Sequence, residues 1–218
     1  MNYDEFLENE EEIYSEFRDT SKVMVEGLKP NIQENKGGYI IALRHPDNII
    51  NNIKNITSKI YKEVKCIKYD KGNIHTTLAT YNEGVGFKLI NDDLELISDI
   101  ASNNRVLIKD TKINYSECLI NQDSIIVAGT PNENFKEYLD AIEREANKYN
   151  IKLKMPWGAH ITIIRFLENI EYDKVLNILD IVKDNKKIGL SIPTSIDIGY
   201  FSLTKDTFNI NVYKSINL

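Results

Sequence analysis

Apolar positions along this chain fall into runs with two distinct periods. At residues 3 to about 28, Phe6, Ile13, Phe17, Met24 and Leu28 recur on one broad face among acidic residues, which predicts an amphipathic helix ended by Pro30 and the Gly37-Gly38 pair. Tyr39-Ile40-Ile41-Ala42-Leu43 then reads as a strand. Ile49, Ile53, Ile56 and Ile60 return to helical spacing before a strand at His75. A helix beginning near the cap residues Asn91 or Asp92 follows, carried by Leu94, Ile97, Ile100 and Ala101. The second half reads as a strand at Ser124-Ile125-Ile126-Val127-Ala128, a helix through Phe135, Tyr138, Leu139, Ile142 and Ala146, a strand at His160, and a helix through Val175, Leu176, Leu179 and Val182. Further strands are predicted at 111–120, 188–199 and 206–214, the last two separated by the turn Thr204-Lys205-Asp206.

The halves match one another at an offset of 85 residues. Pro46 falls on Pro131, Tyr39 on Ser124, Tyr81 on Phe166, and Leu94 and Ile97 on Leu179 and Val182. His75-Thr76-Thr77-Leu78 falls on His160-Ile161-Thr162-Ile163. Strand, helix and histidine strand therefore occur twice, the sign of a duplicated unit. Residues 1–36 lie outside the repeat as an N-terminal extension, which could pack on the core, cover the active site or bind a partner. Residues 37–218 read as one bilobal domain, and its class as mixed α+β.

Composition narrows the chemistry. A hydrophobic content of 42% suits a globular protein, no stretch approaches 18 consecutive apolar residues, and the acidic start lacks the basic and apolar regions of a secretory signal. A cytoplasmic location is the expectation. Cys66 and Cys118 are too few for a zinc cluster or a disulfide framework and are expected as free buried thiols. With three histidines and no closely spaced metal-ligand pair, neither metal nor cofactor is expected. The net charge of −6, to which a surface run Glu8-Asn9-Glu10-Glu11-Glu12 contributes, argues against extended nucleic-acid binding but not against a small phosphate ligand. Abundant Asn, Ile and Lys match AT-rich coding, common in low-GC bacteria and large DNA viruses.

On a strand, side chains alternate faces, so His75 and Thr77 point one way, as do His160 and Thr162. If the two strands meet across a cleft, one neutral imidazole can take a proton from the attacking group while the other, protonated, donates to the leaving oxygen. The two threonine hydroxyls can hold the nonbridging phosphate oxygens and stabilise the charge that develops. Tyr81 and Phe166, six residues on, share the histidine faces if alternation persists, and could stack on a base or belong to the core. His45 reads as structural or exposed. Arg165 falls on the face opposite His160, in a solvated or salt-bridged role.

These two His-x-Thr-x tetrads in pseudo-symmetric halves resemble the 2H phosphoesterase superfamily over roughly residues 38–218. The segment His160-Ile161-Thr162-Ile163-Ile164-Arg165-Phe166 is similar to the second motif of its LigT-like, RNA 2′,3′-cyclic phosphodiesterase branch. Thr76 departs from that branch, where an apolar residue is common. The resemblance implies two antiparallel sheets flanking a groove, with His75 and His160 catalytic and Thr77 and Thr162 binding phosphate. It implies a metal-independent phosphodiesterase acting on a nucleotide or short oligonucleotide at a ribose 2′ oxygen. A 2′–5′-linked or cyclic messenger such as cyclic GMP-AMP or 2′–5′ oligoadenylate, degraded in viral or phage counter-defence, is one expectation. RNA-end processing and a noncatalytic nucleotide-binding or interaction module are the alternatives. No membrane partner is expected.

Overall fold

In chain order the elements are α1 (Tyr3–Arg18), α2 (Ser21–Glu26), β1 (Lys36–Arg44), α3 (Asp47–Ile60), β2 (Cys66–Lys68), β3 (Thr76–Val85), α4 (Asn91–Asn103), α5 (Arg105–Ile108), β4 (Ile113–Ile120), β5 (Ser124–Pro131), α6 (Glu133–Lys148), β6 (Ile161–Phe166), α7 (Tyr172–Asp184), β7 (Gly189–Ser191), β8 (Ser195–Leu203) and β9 (Phe208–Asn217). They are seen in a computed structural model that describes residues 2–31, 34–170, 172–185 and 187–218, so residues 1, 32 and 33 of the N-terminal extension lie outside the described residues.

The strands run β7-β4-β5-β6-β3-β1-β8-β9, with β2 flanking β6, and every recorded pairing is antiparallel. The two lobes, β3-β1-β8-β9 and β7-β4-β5-β6, join where Thr76 pairs with Ile161. The lobes are not the two halves of the sequence. β2 leaves the first half to pair with β6, and Lys154 leaves the second half to pair with Thr80 of β3. Each histidine strand is thus flanked by a segment from the other half.

Helices form where the apolar period demanded them. Ile49, Ile50, Ile53, Ile56 and Ile60 bury one face of α3, and Phe135, Tyr138, Leu139, Ile142 and Ala146 one face of α6. β1 is buried along nearly its whole length, as a central strand covered on both faces must be. Both cysteines are free and buried, and burial pushes each thiol up to about 12, which keeps them protonated and inert.

Several local expectations change. The N-terminal helix breaks after Arg18, where Asp19 turns extended, and the buried face of α1 is Phe6, Glu10 and Tyr14, with Ile13 only half-buried. α1 is closed at its start by a capping box between Asn2 and Glu5. Neither Asn91 nor Asp92 caps α4; Ile90 holds that position without a side-chain bond. The strand expected over 188–199 divides around Pro193, which has no N–H to give a ladder.

Candidate active site

The antiparallel pair Thr76↔Ile161 brings the two tetrads together. Counted one residue either way from that pair, the register sets His75 beside Thr162 and Thr77 beside His160. All four line one cleft with a cavity of about 370 Å3. The convergence expected from the repeat is therefore present in the fold.

His75 is held in a defined tautomer. Its Nδ1–H donates to the Asn73 carbonyl at 2.7 Å, which leaves Nε2 as an acceptor, 3.2 Å from the Thr77 hydroxyl. Its ring lies parallel to Phe208, with centroids 5.7 Å apart. Burial lowers its pKa to about 4 against the pull of the Asn73 carbonyl, and Arg44 and Arg165 add to the lowering.

His160 is arranged differently. Its ring stacks on Trp157 at 4.2 Å and 9°, and Trp157 in turn meets Tyr14 edge-on at 5.4 Å and Phe17 at 6.2 Å. The Gly158 carbonyl, equivalent by the repeat to that of Asn73, is close enough to favour a proton on the ring, yet Nδ1 makes no hydrogen bond of acceptable geometry. That contact is an approach rather than a formed bond. Burial, first, and the charges of His75 and Arg165 lower the His160 pKa to about 4. The side chain is half-buried, so access to the cleft survives.

Beyond the threonines the strands do not keep alternating. Opposite the step from Ile41 to Ala42, β3 moves from Ala79 to Thr77, and opposite the step from Ile125 to Ile126, β6 moves from Ile164 to Thr162. An extra residue, Leu78 in one strand and Ile163 in the other, reverses the faces that follow. Thr80 and Arg165, equivalent by the repeat, consequently line the cleft. Tyr81 and Phe166 turn away from it. Tyr81 stacks on Tyr39 and packs against the core, and Phe166 is wholly buried, so neither offers a face to a base. Arg165 is no solvated residue: its Nε–H donates to the Tyr69 hydroxyl at 3.2 Å.

The aromatic wall of the cleft comes instead from residues with no motif around them. Phe208 stacks with Tyr69 at 5.6 Å and Phe201 at 5.7 Å, and all three line the cavity. Phe201 and Phe208 stand at the turn end of the β8–β9 hairpin. At the rim, Glu83 bonds Lys36 at 3.0 Å and Lys154 at 2.8 Å, and those partners outweigh its burial to hold it down to about 2. A roomier hollow of about 520 Å3 between α1, β4 and α7 includes Phe17, Leu119 and Leu179 and holds no histidine, whereas the smaller cleft holds His75 and His160.

Behind the tetrads, a buried polar network explains the unusual Thr76. Its hydroxyl bonds the Tyr115 hydroxyl at 2.6 Å and His45 Nε2 at 3.1 Å, while His45 Nδ1 bonds Ser191 at 2.9 Å. Burial lowers His45 to about 3, and the residue is structural. The network joins β3 and His45, the residue after β1, in one lobe to β4 and β7 of the other. Among the described residues, no three histidine, cysteine or carboxylate groups gather as a metal site, and no helix is long and apolar enough to cross a membrane.

This two-lobed arrangement, with nine strands among the described residues around a shared cleft, is the fold of the LigT-like 2H phosphoesterases. Escherichia coli LigT in complex with NADP+ matches with a TM-score of 0.56 and 13% identity, over 84% of this chain and 98% of that one. The protein TT0787 of Thermus thermophilus matches with a TM-score of 0.60 and 11% identity, over 83% and 97%. A further structure, described as a phosphoesterase, gives 0.56 and 12% over 83% and 98%. No family model and no curated protein matches the sequence.

Proposed function

We propose that this protein is a metal-independent phosphodiesterase that cleaves a nucleotide phosphodiester at a ribose 2′ oxygen. The observation that carries this reading is the adjacency of two histidine–threonine pairs across the Thr76↔Ile161 seam, in one cleft of nucleotide size. E. coli LigT, of the same fold, has been crystallised with ATP, NADP+, phosphate and 3′-AMP.

The surroundings divide the roles. His75, with Nδ1–H committed to Asn73, presents an unprotonated Nε2 and is the general base towards a water or hydroxyl. His160 is the general acid, because the face of Trp157, stacked at 4.2 Å, favours its imidazolium. A bound phosphate anion raises the acid's pKa from its low resting value. The 3.2 Å bond between Thr77 and His75 is long enough to yield when a phosphate oxygen arrives. Thr77 and Thr162 then donate to the nonbridging oxygens, and Arg165 supplies fixed positive charge.

The wall of Tyr69, Phe208 and Phe201 offers a stacking face for a base. This supports a compact nucleotide substrate, within which a 2′–5′-linked or cyclic messenger such as cyclic GMP-AMP or 2′–5′ oligoadenylate, and hence a counter-defence role, is the specific form of the proposal. RNA-end processing is the second reading. Against it, Glu83 already engages Lys36 and Lys154, which leaves little cationic track for a longer strand.

The test is incubation with 2′,3′-cyclic mononucleotides, 2′–5′ oligoadenylate and 2′–5′- or 3′–5′-linked cyclic dinucleotides in the presence of a chelator, with products identified by mass spectrometry. Cleavage that survives chelation and falls by about 10²- to 10⁴-fold in His75→Ala and in His160→Ala is expected. Turnover unchanged in both variants overturns the assignment, and nucleotide binding without turnover favours the noncatalytic module.

A further inference from the structure

Glu10 lies inside the acidic run of the N-terminal extension, yet it is only 2% exposed. A carboxyl withdrawn from water costs several kcal/mol unless something compensates it, so the contacts it makes are informative. Its Oε1 accepts the Ala159 N–H at 2.5 Å, and the Tyr14 hydroxyl stands 3.4 Å away. Tyr14 in turn is fastened to both backbone groups of Gly129, 3.2 Å from its carbonyl and 3.1 Å from its N–H.

The Ala159 N–H belongs to the same rigid peptide unit as the Gly158 carbonyl. That carbonyl is the one that faces His160. A carboxyl on one side of the plane therefore fixes the orientation of the oxygen on the other. Gly158 is the residue that permits the approach, since a Cβ there would lie 2.7 Å from Glu10 Oε1. The same helix supplies Tyr14 and Phe17 to brace Trp157, on whose ring His160 stacks. On the His75 side the equivalent peptide is held by local backbone instead of a side chain from α1: the Ile74 N–H donates to the Asp70 carbonyl at 2.8 Å, and the Asn73 carbonyl is bonded to the ring.

We infer that Glu10 is a positioning residue for His160, acting through the Gly158–Ala159 peptide, and that α1 is a working part of the active site. Oε1 can accept this bond from either protonation state of the carboxyl, so the role does not depend on its charge. The kinetic consequence rests on the phosphodiesterase reading; the effect on the imidazole does not.

The experiment is a histidine-imidazole NMR titration of the intact protein, whose three histidines are assigned by single His→Gln variants. In Glu10→Ala, His160 loses the oriented carbonyl that favours its protonated form and is expected to titrate still further below the free-imidazole value of about 6.5 and to broaden, with His75 unmoved. Glu10→Gln keeps the acceptor and restores the wild-type titration. In turnover, Glu10→Ala lowers kcat by about tenfold to a hundredfold with little change in KM, and Glu10→Gln recovers most of it. Glu10→Asp, too short to reach Ala159, gives the Glu10→Ala result in a variant that retains the charge, and it serves where Glu10→Ala does not fold. An unchanged His160 titration in the folded Glu10→Ala or Glu10→Asp protein overturns the inference. Wild-type protein that turns over no substrate overturns the phosphodiesterase reading and leaves the imidazole result standing.

Discussion

Thr76 and Ile161 face each other across the seam of the sheet, the one recorded residue pair between the two histidine strands. A single point of contact suffices because each strand is also held by a segment from the other half, β2 against β6 and Lys154 against Thr80. The hydroxyl of Thr76, tied to Tyr115 and His45, adds a third fastening directly behind the faces that carry His75 and His160.

If the hydroxyls hold the phosphate, Thr77→Val and Thr162→Val each lower kcat by about 10²- to 10³-fold, the loss typical of one oxyanion donor. Thermal unfolding should hardly move, because both side chains are half-buried and face the cleft. Equal losses of stability and activity would point to a packing role instead.

The acid and base assignments set a pH dependence. In the free enzyme His160 must gain a proton although its pKa is about 4, so kcat/KM declines as pH rises above that value. kcat holds to higher pH, since the bound phosphate stabilises the imidazolium in the complex. Trp157 is the chain's one tryptophan, and protonation of the ring stacked on it should quench its fluorescence with a midpoint that phosphate moves upward. A kcat/KM profile flat from about pH 5 to 8, or a quench that persists in His160→Gln, contradicts the assignment.

Phe208 and Phe166 separate ligand contact from packing. Phe208→Ala is expected to raise KM severalfold for purine nucleotides, with a modest fall in stability, because the ring lines the cleft. Phe166→Ala removes a wholly buried ring and should cost about 3–5 kcal/mol in denaturant unfolding. A KM effect from Phe166 alone, in protein of normal stability, would restore it as a stacking residue.

Stability also responds to acid. Burial holds His45 to about 3 and His75 and His160 to about 4, below the unfolded value of about 6.5. Below about pH 6.5 the unfolded chain therefore binds more protons at these sites, and stability falls as pH drops towards the folded values. Each site contributes up to about 1.4 kcal/mol per pH unit in that window. Glu10, raised by burial to about 7, works the other way and blunts the slope. Melting temperatures measured from about pH 7 to 4 should fall, and should fall less for a folded His45→Gln protein; a rise on acidification would contradict the buried neutral histidines.

Much of the site was legible because the repeat doubles a weak signal. One His-x-Thr string means little, but His75 and His160 at a constant offset, each after a strand and a helix, fixed the four central side chains and the two-lobed fold. What stayed hidden has physical causes. Tyr81, Phe166 and Arg165 were placed by counting alternation, and one extra residue in each strand reverses that count. Phe201, Phe208 and Tyr69 reach the cleft through long-range pairing that leaves no local pattern. Glu10 sat among other acidic and polar residues on a solvated-looking stretch of helix. Its contacts with Ala159, Gly158 and Tyr14, all but the last distant in sequence, mark it as buried.

The bulges at Leu78 and Ile163 carry a historical consequence. They occupy corresponding places in the two repeats, as the copying of a unit that already held the kink would leave them. Such a unit would be a finished half-site of strand, histidine, threonine and kink, and two copies related by a twofold axis would form a symmetric centre. Asn73 and Phe208 around one imidazole, and Gly158 and Trp157 around the other, are the departures from that symmetry that, on the phosphodiesterase reading, would give two like groups opposite tasks.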